Sequence, residues 1–453
     1  MSDELPTAAR VADPGIRALY KQENRWQAWL DVEVALARAQ AELGIIPKEA
    51  AEAIARSAQF DRLDRKRIDE GFARTGHTIV PLVWELARVV GEPHGGWVHW
   101  GATTQNITQT GDLLVLRQAH HIFLKLIADA LLAAADLAER GADMPIPGRT
   151  HGQHAVPATF GYKPAVWIDE LIRHVERFRQ AAPRIFVAML GGGAGTFASL
   201  GQQGPAVQAG MGRHLGMPPM TIPSRALGDH LAENICLLGL LAATCAKIGR
   251  EIYTLMKTEF GEVEEPVPPG TVGSSTMPQK RNPKLCQDII AAAAEVRSCV
   301  PVALEAMQTE HEADRTTSVM MDAAEARACI ATGDMLSRLV EVLRGLRLDP
   351  ERMRQNLDLG GGLIMAEAVM LNLGQTIGRQ HAHDVVYDAA QAAFVEGKSF
   401  GMLLAADPRV TAHLSVQQIE ALLDPAGYTG LCAEMARDAA ARARTLAGEI
   451  SDA

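Results

Sequence analysis

Between positions 270 and 283 the chain reads GTVGSSTMPQKRNP. Ser274 and Ser275 offer two adjacent hydroxyls, Lys280 and Arg281 two fixed positive charges, and Asn282 an amide. The glycines let the backbone approach a ligand closely. Asn282 followed by Pro283 suits the N-cap and first position of a helix, whose exposed N–H groups favour an anion. Together these groups could hold an anion. The same composition also describes a solvated, basic, Ser-rich surface loop.

Three further stretches hold polar groups that could do chemistry. WVHWGATTQN, from Trp97 to Asn106, ends in Thr103, Thr104 and Asn106 ahead of an apolar helical pattern. These residues read either as an N-cap cluster or as a carboxylate cradle of hydroxyls and helix N–H groups. GRTHGQH holds Thr150, His151, Gln153 and His154. A metal could draw on His151 with His154, or on His381 with His383. No Cys, Asp or Glu stands beside the first pair at ligand spacing, so neither metal nor cofactor is expected. His77, in TGHT, is by itself a cap or surface residue at a helix start. The glycine-rich run 191–204 lacks the Lys-Ser or Lys-Thr of a phosphate loop and reads as a connection.

The elements around these stretches are helical. The chain has 453 residues, is 47% hydrophobic with 5% aromatics, and carries a net charge of −10. Such a mixture favours helices, and an acidic balance disfavours a nucleic-acid partner while leaving room for a local basic pocket. Six scattered cysteines without a CxxC pair imply reduced thiols of a cytoplasmic protein. No signal segment is recognised, and apolar runs such as 237–246 are too short to span a bilayer, so no membrane partner is expected.

Apolar spacing predicts helices over 17–43, 48–56, 79–90, 111–140, 158–179, 227–260, 284–310 and 318–346. The helix over 227–260 is expected to be the longest, at roughly 50 Å. Pro164 is expected to mark a kink or a late start, and Pro301 a kink. Trp26 and Trp29 fall on an apolar helical stripe and read as core. No strand pattern persists beyond a few residues. The expected division is 1–103, 104–347 and 348–453.

The run Gly273-Ser274-Ser275-Thr276-Met277-Pro278-Gln279-Lys280-Arg281-Asn282-Pro283 resembles the signature loop of the aspartase/fumarase superfamily, GSSxMPxKxNP, and meets every fixed position. The Thr103–Asn106 stretch is similar to the family's first signature region, with Thr104 in place of serine. GRTHGQHAVPATFGYK is similar to the second, which carries a Thr-His pair. TGHT matches a motif of the adenylosuccinate lyases, and HWGAT looks like the carboxymuconate cycloisomerases. The resemblance covers nearly the whole chain. It implies an all-α, three-domain fold with a long central bundle, and a homotetramer whose active sites combine stretches from three chains.

The implied reaction is elimination beside a carboxylate in a small dicarboxylate substrate, releasing fumarate. By resemblance the base is Ser274, with Ser275 the neighbouring alternative. His151 is a catalytic acid or its relay, and His77 a further active-site histidine. Thr103, Thr104, Asn106, Thr150, Gln153, Met277, Lys280 and Asn282 contact the substrate. The chain departs from adenylosuccinate lyases in HEADRTTSVMM, where Ala313, Met320 and Met321 replace charged residues. Gln287 stands where many members have a glutamate. Two alternatives follow: a carboxymuconate-type cycloisomerase, and a non-catalytic, crystallin-like reuse of the fold.

Overall fold

The computed structural model describes residues 5–267 and 276–452. After an irregular arm come α1 (Ile16–Leu19), α2 (Gln22–Glu42), α3 (Lys48–Ser57), α4 (Arg65–Thr75) and α5 (Val80–Val90). Trp26 lies 5.5 Å from the ring of Phe60 and 5.4 Å from that of Phe72, and both Trp26 and Trp29 are buried. The expected helix over 17–43 breaks at Tyr20 and Lys21, so α1 and α2 are separate.

The longest described helix is α6 (Thr104–Arg140), with 37 residues, not the expected one over 227–260. It begins earlier than predicted and runs straight through Gly111. A Cβ there would stand 2.5 Å from Trp29 Cδ1, so the glycine permits α2 to cross close against α6. The THGQ stretch is not in a helical lead-in. It forms an antiparallel hairpin of β1 (Pro145–Thr150) and β2 (Gln153–Thr159). Pro145, Pro147 and Pro157 lie in these strands, and proline masks a strand pattern because it cannot donate to a ladder. Helix α7 (Tyr162–Ile185) follows, with Pro164 in its first turn rather than at a kink.

Next come α8 (Gly204–Leu215), α9 (Asp229–Leu255), β3 (Val263–Glu264), α10 (Lys284–Glu305) and α11 (Arg315–Gly345). Helix α10 packs along both α9 and α11, while α6 packs along α2, α7 and α11. Helix α9 is long and apolar enough to cross a membrane, but most of it is buried inside this bundle. Strand β4 (Arg347–Leu348) pairs with β3 and leads to α12 (Pro350–Leu357), where the chain turns at Gly361 and Gly362, both with positive φ. Then follow α13 (Ala366–Ile377), α14 (Arg379–Glu396), α15 (Phe400–Ala406), α16 (Pro408–Thr411), α17 (Val416–Leu422) and α18 (Cys432–Ser451).

One large core joins α2, α6, α7, α9, α10, α11 and α18. A separate smaller core lies among α13 to α17. The six cysteines are free, and all but Cys236 are buried.

Candidate active site

At the start of α6, the Thr103 N–H donates to Asn106 Oδ1 at 3.1 Å. The same oxygen accepts the Gly192 N–H at 3.1 Å, which ties the turn to the glycine-rich connection. Asn106 is fully buried and its Nδ2 has no hydrogen-bond partner among the described residues, whereas Thr103 and Thr104 are half-buried. Just upstream, His99 takes a positive φ of 61° and its Nδ1 lies 2.5 Å from Oε1 of the buried Glu33. Burial disfavours the His99 cation, but the Glu33 carboxylate outweighs it, and the imidazole is held above its ordinary value. Gln105 exchanges hydrogen bonds with Arg225: its Nε2 donates to the Arg225 carbonyl at 2.9 Å and its Oε1 accepts from Arg225 Nε at 3.1 Å. Both residues line a cavity of about 70 Å³ with Thr317 and Ser318.

The second signature region sits at the hairpin tip. Thr150 pairs with Gln153, and the two residues between them, His151 and Gly152, have φ of 54° and 77°. Two successive positive φ values mark the mirror-image turn that matches strand twist. His151 is thereby pushed into solvent, with Thr150 and Gln153 exposed beside it. Behind them the hairpin is anchored by Arg149, which donates to both oxygens of Glu262 at 3.0 and 2.6 Å and lies 4.9 Å over the Phe260 ring. Asn356 adds a bond to Glu262 Oε1 at 2.8 Å. Burial first, and Arg149 second, lower the pKa of His154. Thr150 lines a different cavity, of about 1080 Å³, with Lys163, Glu251 and Tyr428.

In the third region, Ser274 and Ser275 lie outside the described residues. The described part, from Thr276, places Met277 and Lys280 in solvent, with the Lys280 N–H on the Met277 carbonyl at 3.1 Å. Arg281 donates to Glu264 Oε1 at 2.5 Å, and Arg347 to Oε2 at 3.1 Å. Asn282 does not occupy the expected N-cap. Pro283 does, and it offers no side-chain bond. The Leu285 and Cys286 N–H groups are taken at 3.1 Å each by Glu265, on the other side of the run. This helix end is therefore already served by a carboxylate, and its Leu285 and Cys286 N–H groups are not open to an incoming anion.

His77 is exposed at the start of α5, where its Nδ1 accepts the Val80 N–H at 3.4 Å. Its neighbour Thr78 accepts from Arg315, in the HEADR run, at 3.0 Å. Among the described residues, these two cavities and a third of about 250 Å³ beside Arg281 each take residues from one signature region only. No group of three or more His, Cys, Asp or Glu among the described residues is arranged to hold a metal. Sequence reading missed Gln105, Arg225, Glu262 and Glu265. The glutamates were visible in the run GEVEEP, but nothing local in the sequence signals the partners they take.

A family profile described as Lyase matches residues 8–298, and one described as Adenylosuccinate lyase C-terminus matches residues 362–439. The chain belongs to the aspartase/fumarase superfamily, in its adenylosuccinate lyase and carboxymuconate cycloisomerase branch, and is an enzyme of that family. The N-acetyl-S-(2-succino)cysteine lyase of Dickeya dadantii is 36% identical over 431 residues, which cover 94% of each chain. The 3-carboxy-cis,cis-muconate cycloisomerase of Pseudomonas aeruginosa is 38% identical over 437 residues, 95% of this chain and 94% of that one. A crystal structure of fumarate lyase from Mesorhizobium sp. BNC1 matches with a TM-score of 0.89 and 35% identity, covering 95% of this chain and 98% of that one.

Proposed function

We propose that the protein is a lyase that eliminates a leaving group from a substituted succinate and releases fumarate. The observation that carries this reading is the complete run 273–283 in a chain that aligns over 94% of its length with a relative named as a lyase of N-acetyl-S-(2-succino)cysteine. In the proposed reaction Ser274 takes the proton from the carbon alpha to a carboxylate. The resulting aci-carboxylate dianion is stabilised by Lys280, Asn282 and the hydroxyls of Thr103 and Thr104, with Asn106 fixing their turn. The bond to the leaving group then breaks as the carbon–carbon double bond forms, and His151 gives the departing atom its proton. Thr150, Gln153 and Met277 complete the substrate contacts, and His77 is the second candidate acid. The leaving atom is an amine nitrogen or an oxygen, to which the Dickeya relative adds a thiol sulfur.

The separate cavities in one chain, and exposed Leu240, Val302, Leu304 and Val319 on the long helices, support a homotetramer with shared sites, and the six free cysteines support a cytoplasmic setting. The division at 103/104 and 347/348 is part of the same proposal. A fully active species of 48.7 kDa by light scattering would refute the tetramer.

The Pseudomonas relative and the HWGAT stretch favour a second reading, a cycloisomerase that adds a carboxylate oxygen across a double bond. An ultraviolet assay for fumarate over N-, O- and S-succinyl compounds, run beside 3-carboxymuconate, separates the two. Fumarate from any succinyl compound is the expected result. Turnover of carboxymuconate alone overturns the lyase reading.

A further inference from the structure

Helix α10 starts without a cap of its own. Pro283 has no N–H and no capping oxygen, and the Lys284 and Gln287 N–H groups use the local carbonyls of Asn282 and Pro283 at 2.9 Å each. The two N–H groups between them, of Leu285 and Cys286, would be orphans in a buried place. Glu265 takes both, one on each carboxylate oxygen, from twenty residues upstream. It is 1% exposed, so this carboxylate serves the helix and not solvent. The contact joins the chain at Glu265 to the first turn of α10.

A second segment grips the same helix one turn on. Thr7, in the N-terminal arm, is buried and donates both its N–H and its hydroxyl to Asp288, at 3.0 and 2.6 Å. Arg338 of α11 donates back to the Thr7 hydroxyl at 2.7 Å and stands 3.6 Å from Asp288. Arg10 of the arm donates to the carbonyl of Pro266, beside Glu265. The arm therefore holds the chain on both sides of the run.

We propose that Glu265 and Thr7 are positioning residues that fix the first turns of α10, and with them the placement of Lys280 and Asn282. The proposal rests on the reading above, in which those two side chains meet the substrate carboxylate. A remote carboxylate cap has a consequence a local one would lack: it ties the chain at Glu265 to the start of α10. Displacement of a binding group by about 1 Å can cost about 100-fold in rate.

The test uses the full chain with Glu265→Ala, Glu265→Gln, Thr7→Val and Thr7→Ser. Hydrogen exchange at the amides of Leu285 and Cys286 is expected to run about tenfold faster in Glu265→Ala. With a succinyl substrate, kcat should fall about 100-fold and KM rise in Glu265→Ala and Thr7→Val. Thr7→Ser should restore both constants, because it keeps the hydroxyl relay. If Glu265→Ala does not fold, Glu265→Gln and Thr7→Val carry the same readouts. Unchanged exchange at the start of α10, or faster exchange with unchanged kcat and KM, overturns the proposal. A uniform loss of stability with normal constants per folded molecule does so too. Should the wild-type protein release no fumarate, the lyase reading fails by itself, and the exchange measurement still decides whether Glu265 and Thr7 fix α10.

Discussion

The hairpin bearing Thr150 and His151 and the helix that follows the signature run are held from the same short segment, by different chemistry. At one end of it Glu262 is fully buried and grips a guanidinium, Arg149, in two parallel hydrogen bonds. Three residues on, Glu265 is about as buried and takes two backbone amides, with the Cys286 thiol and the Arg10 charge as lesser partners. A guanidinium brings a full compensating charge, whereas two amides bring partial ones. Burial accordingly pushes the Glu265 carboxyl up, and the Leu285 and Cys286 amides, with smaller help from the Cys286 thiol and Arg10, pull it only part of the way back. One support can thus be broken by deleting a single charge, and the other tunes position through the backbone. Glu33, behind His99 and the Thr103 turn, is a third buried glutamate in a comparable role. Each signature region therefore has a buried carboxylate at its back.

The largest expected effect lies on the loop side of this comparison. Ser274→Ala should lower kcat by about 10²–10⁴-fold with KM nearly unchanged, because in the proposed reaction the hydroxyl acts only on the proton in flight. Ser275→Ala is the control. If it alone loses kcat, the base moves one residue; if both variants stay active, the loop serine is not the base.

On the hairpin side, Arg149→Met leaves Glu262 buried and unpaired. Unfolding by denaturant should show a loss of about 3–5 kcal/mol. A shift below about 1 kcal/mol would mean that Asn356 alone satisfies Glu262, and the contrast with Glu265 would collapse. A smaller effect is expected at Lys280. Lys280→Met should raise KM about tenfold by removing the charge proposed to meet the ground-state carboxylate, and unchanged KM would show that Lys280 does not bind it.

Much of this was legible in sequence, and what was not has a physical cause. Long apolar periodicity announced α6, α9, α10 and α11, because a helix must bury one face whatever its neighbours. Their lengths were misjudged where a residue that usually ends a helix is needed for packing, as Gly111 is against Trp29. The hairpin was missed because prolines 145, 147 and 157 hide a ladder only two strands wide. The THGQ motif was found, but not the turn that pushes His151 outward. Asn282-Pro283 suggested a local cap, since local rules cannot see a carboxylate twenty residues away. The same blindness hid Thr7, whose partner Asp288 is 281 positions distant.

The smallest effect tests whether Glu33 supports the Thr103 turn as a charge. His99 is held above its ordinary value of about 6.5 because the Glu33 carboxylate outweighs burial. A histidine raised in the folded state contributes stability that is fully present below the unfolded value and is lost as pH rises through the folded one. Wild-type protein should therefore lose a small increment of stability above about pH 6.5. Glu33→Gln keeps the burial and removes the charge, so burial then depresses His99. The sign reverses: that variant should lose its increment as pH falls through the lowered value. Imidazole titration by NMR reads both midpoints directly, and the difference in Tm between pH 5 and pH 8 reads the linkage. Equal midpoints in the two proteins would mean that Glu33 holds His99 by geometry alone, and the carboxylate behind the Thr103 turn would differ in kind from Glu262 at the hairpin.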